Sequence, residues 1–153
     1  MKLASLRSAA VAIAMAASSF TACAQQADFN EVGRQMAIML QNSHFARLNF
    51  NEELSRRFLD DYLSDLDFQR LYFTAEDVDG FKAKYGDRLH NMLLQGNAIA
   101  AANEIYGVFR ERVAQRVAQT DTLLASAKFD FSKQDTVMLS RKNAPWPKDG
   151  ADA

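Results

Sequence analysis

The sequence predicts an all-α fold, an antiparallel bundle of about four helices followed by an extended Pro-Trp-Pro strap. Apolar residues recur at three- and four-residue steps along most of the chain, which is the spacing of one helical face. No apolar–polar alternation reaches the length of a strand. Only six glycines and two prolines interrupt the 153 residues, so long helices with short connections are favoured.

The first 24 residues predict a secretory signal peptide. Lys2 and Arg7 precede a short apolar run, and small residues follow it up to Ala22-Cys23-Ala24. The apolar run is too short to span a bilayer. We expect cleavage before Gln25 and export, to the periplasm of a double-membrane cell. The alternative is lipidation of Cys23, which would attach the chain to a membrane.

The remaining chain is predicted to divide into a helical domain at residues 25–140 and an extended linker at 141–153. Cys23 is the only cysteine, so cleavage after residue 24 would leave no disulfide to stabilise the domain. The net charge of −1 gives no electrostatic reason to expect nucleic acid or anionic lipid as a partner.

The first helix is predicted to begin near Phe29, with its buried face at Val32, Met36 and Leu40. Asn49 and Glu52 have the spacing of a capping box and predict the start of a second helix. The apolar face of that second helix would consist of Leu54, Phe58, Leu59, Tyr62, Leu63 and Leu66.

The third helix is predicted to begin at Thr74-x-x-Asp77 and to continue to Leu93. Gly86 lies inside this pattern and costs about 1 kcal/mol relative to alanine, so we expect a weak point there. Gly96-Asn97 predicts the end of the helix.

The fourth helix is the longest, with seven or more turns. Its apolar face would comprise Ile99, Ala102, Tyr106, Phe109, Val113, Val117, Thr120 and Leu124. Arg110, Arg112 and Arg116 lie on the other side. Glu111 interrupts them and no aromatic residue lies among them, so we interpret them as a solvated helix surface.

Neither a metal site nor a cofactor site is predicted. The acidic segment around Asp77 and Asp79 matches two positions of a calcium loop whose sixth residue would be Gly80, but Gly86 occupies the position of the required glutamate. Both aspartates are better explained as acids in the first turn of a helix. His44 and His90 are the only histidines, too few for a zinc site, and we expect His44 half-buried and His90 on a helix surface.

No catalytic residue is predicted either, because no serine lies in a tight glycine turn beside a recognisable base. Trp146, the only tryptophan, is flanked by Pro145 and Pro147, the only prolines. The rings of these prolines restrict the backbone and reduce the entropy lost when Trp146 is held in place. Two interpretations remain open: a lid on the core of this domain, or an interdomain or partner contact formed by Trp146, Pro145 and Pro147.

The segment Leu54 to Phe81 resembles the N-terminal helical region of tail-specific proteases, also called C-terminal processing peptidases. That region has a serine, then a D-x-Y-L-x-x-L-D helix, then a D-V/I-x-x-F helix start. The matching residues here are Ser55, Asp61-Tyr62-Leu63, Leu66-Asp67, Asp77-Val78 and Phe81. Ser43 to Phe45, Phe129 to Phe131 and Arg141 to Asp149 resemble further parts of the family, and "APWP" is the most specific of them.

The resemblance implies an N-terminal helical domain that precedes a PDZ domain and a peptidase domain with a Ser/Lys catalytic dyad. The motifs of those two domains lie beyond Ala153, so no residue of this chain inherits a catalytic role. Ser132-Lys133 and Ser140-Arg141 are loop residues and do not replace the dyad.

The sequence therefore predicts an exported helical domain of a tail-specific protease. It would pack against PDZ and peptidase domains, of the same or a separate chain, and dock an adaptor or protein substrate, without catalysis of its own. The alternative is a free-standing periplasmic adaptor or inhibitor that binds another protein.

Overall fold

The computed structural model describes residues 27–45, 49–126 and 138–152, together with residues 128, 130, 132, 134 and 136. These residues form five α-helices and no strand, which confirms the all-helical prediction. The predicted signal peptide and Cys23 lie outside the described residues, as do Phe129, Phe131 and Lys133. The helices are α1 (Phe29–Ser43), α2 (Glu52–Leu66), α3 (Ala75–Tyr85), α4 (Leu89–Gln95) and α5 (Ala98–Ser126).

The core lies where α2, α3 and the first half of α5 meet. Leu59 and Leu63 of α2 are both buried, as predicted from the apolar face of that helix. Phe73, in the loop before α3, is completely buried among them. The buried cluster consists of Leu59, Leu63, Phe73, Val78, Phe81, Tyr85, Ala101 and Ile105.

Three helices begin at side-chain caps, with Asp28 as the cap of α1, and the sequence predicted one of the three correctly. Thr74 and Asp77 form the predicted capping box at the start of α3. The cap of α2 is Asn51, not Asn49, because the Asn51 Oδ1 accepts a hydrogen bond from the Leu54 N–H at 3.0 Å.

The predicted third helix is divided in two at Gly86. A Cβ at this position would lie 2.5 Å from the Lys82 carbonyl oxygen, so a residue with a side chain would require the turn to shift. The chain then forms the short α4, which ends at Gly96 in the left-handed conformation (φ 71°). The Asn97 N–H donates to the Met92 carbonyl at 2.9 Å, which confirms the predicted end of this helix.

The orientation of α1 differs from the predicted one. Its buried residue is Ala37, whereas Val32 and Met36, which were predicted to face the core, are 48% and 54% exposed. A Cβ on Gly33 would lie 3.8 Å from the side chain of Leu93. Small side chains thus form the contact with α4, because they let the two helix backbones approach closely, and larger apolar residues are left outside.

The first turn of α5 is capped by a residue that is distant in sequence. The Asn30 Oδ1 of α1 accepts a hydrogen bond from the Ile99 N–H at 3.1 Å. The predicted apolar face of α5 was wrong: the buried residues are Ala101 and Ile105, which contact the helices beside them, and Tyr106 is exposed. Residues 117–126 of the same helix are all exposed. Among the described residues, no helix is both long enough and apolar enough to cross a membrane.

Candidate functional site

The loop between α2 and α3 forms the base on which the C-terminal segment lies. Asp67 is 2% exposed, and its carboxylate accepts hydrogen bonds from the backbone N–H groups of Leu71, Tyr72 and Phe73 at 2.9, 2.9 and 3.0 Å. A buried carboxylate requires such donors. Asp67 therefore fixes the loop in one conformation and holds Phe73 in the core.

Trp146 packs on this loop. Its ring lies 6.2 Å from that of Phe73 in an edge-to-face arrangement, and the guanidinium of Arg70 lies 4.9 Å from the indole centroid. Arg70 has a left-handed backbone (φ 53°), which costs a non-glycine residue about 1–2 kcal/mol. The side chain of Arg70 also donates to the carbonyl oxygen of Ala144.

The backbone of the C-terminal segment is held by hydrogen bonds as well. The Pro147 carbonyl accepts from the Ala75 N–H at 2.8 Å, and the Arg141 N–H donates to the Gln69 Oε1 at 2.9 Å. Pro147 is buried, Trp146 is half-buried and Pro145 is exposed. Trp146 therefore covers the core of its own domain. The role of these three residues as an interdomain or partner contact stays a prediction.

Two arginines of α5 bind other parts of the fold, contrary to their interpretation as a solvated surface: Arg112 binds α3, and Arg116 binds the loop before α3 and the C-terminal segment. Arg112 donates to both carboxylate oxygens of Asp77 at 2.8 Å. Arg116 donates to the carbonyl oxygens of Leu71 at 3.1 Å and Gly150 at 3.3 Å. These contacts have no local signature in the sequence, because each partner lies more than 30 residues away.

The electrostatics of Asp77 follow from its partners. Partial burial raises the pKa of this carboxyl, but the hydrogen bonds from Arg112 and from Thr74 lower it by more. The net result is a pKa below the ordinary value of aspartate, so Asp77 is ionised and pairs with Arg112 at neutral pH.

Beyond Arg116, α5 presents an apolar surface to solvent. Val117, Leu123 and Leu124 are 54%, 60% and 63% exposed. An open cleft of about 640 Å³ lies between this part of the helix and the C-terminal turn, where Gly150 and Ala151 line it. The C-terminal segment thus ends beside a surface that nothing in the described part of the chain covers.

Ser55 and His90 form a buried pair that the sequence analysis did not find. The Ser55 Oγ lies 2.6 Å from the His90 Nδ1 and accepts a hydrogen bond from the His90 N–H at 2.8 Å. The prediction that His90 lies on a helix surface was wrong, since His90 is only 9% exposed. Ser55 is completely buried. The pair joins α2 to α4, and its hydroxyl is not accessible to a substrate.

A second cleft, of about 370 Å³, lies between α2, α4 and the start of α5. Its walls are apolar, and the hydroxyl of Tyr62 donates to the Ala102 carbonyl at 3.1 Å beside it. Asp61 and Asp65 are its only charged lining residues. Elsewhere in the described ranges, no group of three or more histidine, cysteine, aspartate or glutamate side chains could hold a metal ion.

Comparison with known proteins identifies a matching family model and a curated relative that is consistent with it. Residues 36–153 match the family model described as the tail specific protease N-terminal domain. The Tail-specific protease of Haemophilus influenzae is 32% identical over 114 residues, which cover 74% of this chain and 16% of that relative. The chain thus spans about one sixth of the length of the curated relative that it matches.

Proposed function

This chain belongs to the family of tail-specific protease N-terminal domains, and from this premise we propose that it is the exported, non-catalytic docking domain of a tail-specific protease. The domain would pack against PDZ and peptidase domains, shape access to the proteolytic site, and dock an adaptor or protein substrate. The observation that carries the proposal is the family match, which extends over residues 36–153.

The residues that carry the family resemblance support a structural role. Ser55 binds His90, Asp67 holds the loop before α3, and Asp77 caps α3 and pairs with Arg112. Each of these polar side chains is used to hold the fold. None of them is arranged with a second reactive group in an accessible cleft, as catalysis would require.

The second half of α5 supports the docking role. Its exposed apolar residues lie beside the C-terminal turn, and apolar patches rimmed by polar residues are typical of protein interfaces. Further domains would enter at this place if the chain continued as it does in the longer relative. We propose this surface as the contact with the PDZ and peptidase domains.

The size of the native product tests the proposal. An antibody against residues 25–153 would be used to blot periplasmic and membrane fractions of the source cells, with cells that lack the gene as the control. We expect a band several times heavier than the 17.1 kDa of this chain. A band at or just below 17.1 kDa in the periplasm would contradict the proposal and favour a domain that is exported alone.

A free-standing adaptor or inhibitor is the second candidate, and the position of Trp146 favours it. A domain whose only tryptophan packs on its own Phe73 has less need of a following domain to cover that residue. Sedimentation would distinguish the two candidates, because a severed domain with exposed apolar surface should self-associate. Peptidase activity of the purified chain that is lost on mutation of one of its own serines would contradict both.

A further inference from the structure

The cleft between α2, α4 and α5 has the features of a binding groove for a helix. Its lining includes the small residues Ala98, Ala101 and Ala102 and the larger apolar residues Leu89, Leu93 and Ile105. A row of alanines between larger apolar side chains leaves room for a side chain from outside. Amphipathic helices bind in apolar grooves of this kind.

The charges at the rim indicate which kind of helix the groove would accept. Asp61 and Asp65 are one helical turn apart on α2, and both are exposed. Within the part of the chain that the structure describes, neither carboxylate has a hydrogen-bond or ion-pair partner. Arg57 precedes Asp61 by one turn but forms no ion pair with it in the described part of the chain.

The other acidic residues of this region differ in this respect. Asp60, the neighbour of Asp61 on the other side of α2, pairs with Lys82 at 3.0 Å. Asp87 pairs with Arg56 at 2.7 Å. Asp61 and Asp65 at the apolar cleft thus lack the basic partners that Asp60 and Asp87 have.

We propose that this cleft binds an amphipathic helix of a partner protein, with apolar side chains in the groove and lysine or arginine residues against Asp61 and Asp65. The basic residues would be one turn apart, to match the spacing of the two carboxylates. This inference deepens the adaptor-docking part of the proposed function and rests on it. The surface is separate from the second half of α5.

The test uses the whole purified chain and two labelled peptides of about 18 residues, long enough to form a helix. Both peptides have the same leucine face, flanked in one by lysines four residues apart and in the other by glutamates. Fluorescence anisotropy would measure binding at low and high salt. We expect the lysine peptide to bind more tightly, and high salt to reduce the difference.

Two variants connect the binding to the cleft. Asp61→Asn combined with Asp65→Asn should weaken the lysine peptide about fivefold to tenfold, which is the effect of losing two exposed ion pairs. Ala102→Phe should fill the groove and abolish binding. Asp79→Asn on α3 is the matched control, since it removes a negative charge outside the cleft, and it should leave affinity unchanged.

Equal affinity for the two peptides, absence of binding, or binding that survives both cleft variants would overturn the proposal. Dissociation of a dimer by Ala102→Phe would overturn it too, because the occupant would then be a second copy of this chain. The asparagine variants keep the test valid if Ala102→Phe does not fold. The peptides bind or fail to bind the isolated chain whatever its native size, so this result is independent of the immunoblot.

Discussion

The two halves of α5 have similar apolar patterns and opposite environments. In the first half, Ala101 and Ile105 are each 1% exposed. The Ala102 carbonyl accepts a hydrogen bond from a tyrosine of α2, and the Glu104 carboxylate accepts one from a tyrosine of α3. In the second half, Val117 and Leu124 are more than half exposed. The boundary lies at Arg112, which binds Asp77 of α3, and Arg116, which binds the loop before α3 and the C-terminal segment.

This difference shows that the neighbouring elements decide which residues of a helix are buried, because the buried Ala101 and Ile105 lie outside the predicted apolar face, whose Tyr106 is 47% exposed. The four other helices contact the first half of α5, and its residues Ala101 and Ile105 belong to the core. The second half has a similar spacing of apolar residues without those helices beside it. Its apolar stripe is therefore exposed, and we expect substitutions in the two halves to have different consequences.

The largest effect is expected from Ile105→Ala in the first half. Truncation of a buried isoleucine removes packed methyl groups and leaves a cavity, so the free energy of unfolding should fall by about 3 kcal/mol. Val117→Ala is the matched control in the second half and should change it by less than about 0.5 kcal/mol. Urea unfolding followed by circular dichroism would measure both. Equal losses would show that the two halves do not differ in packing.

Trp146→Ala should have the next largest effect, because the indole covers Phe73 at the point where the loop and the C-terminal segment meet. We expect the free energy of unfolding to fall by about 2 kcal/mol, less than for a completely buried aromatic residue. Trp146→Phe keeps an aromatic ring against Phe73 and should lose less. If Trp146→Ala is as stable as the wild type, the C-terminal segment does not stabilise this domain.

Arg112→Met tests the boundary between the two halves through pH. The pKa of Asp77 is lowered in the folded protein, so its ion pair stabilises the fold above the ordinary pKa of aspartate, and this contribution is lost as the pH falls through the folded value. Without Arg112, the pKa of Asp77 should rise and acid unfolding should begin at a higher pH. The loss at neutral pH should be about 1 kcal/mol.

NMR titration of the Asp77 carboxyl would measure this rise directly. Arg110→Met is the control, because Arg110 is exposed on the same helix and has no contact with Asp77. An unchanged Asp77 pKa in the Arg112 variant would show that Thr74 alone accounts for the lowered value.

The smallest effect on stability is expected from Leu123→Glu combined with Leu124→Glu. Both side chains are exposed, so the free energy of unfolding should change by less than about 0.5 kcal/mol. The apolar surface should nevertheless be lost, and binding of the dye ANS should decrease. A large loss of stability would indicate that these leucines are buried, in this chain or between copies of it.

The sequence predicted features that depend on neighbouring residues. The Thr74–Asp77 capping box and the Gly96 helix end were correct, because both motifs are completed within a few residues. The family resemblance was correct too, and the order of motifs from Ser55 to Phe81 was sufficient for it. For α2, the predicted apolar face included Leu59 and Leu63, and both are buried in the structure.

The sequence did not predict features that depend on distant contacts. His90 is buried where it pairs with Ser55, 35 residues away in the sequence, and Arg112 forms its ion pair with the distant Asp77. The face of α1 was wrong because Gly33 and Ala37 allow close packing on α4, an advantage of small side chains that a hydrophobic pattern does not express. The clefts are likewise formed by several elements together and have no signature in any one of them.

The cap of α5 by Asn30 has a consequence for the order in which the fold forms. The longest helix begins with a hydrogen bond to a residue 69 positions earlier in the chain. During synthesis the acceptor emerges well before the donor, but the bond forms only after the loop between them closes, and closure of a long loop has an entropic cost. We therefore expect the start of α5 to form late, when α1 docks, although α5 alone has the length to be helical.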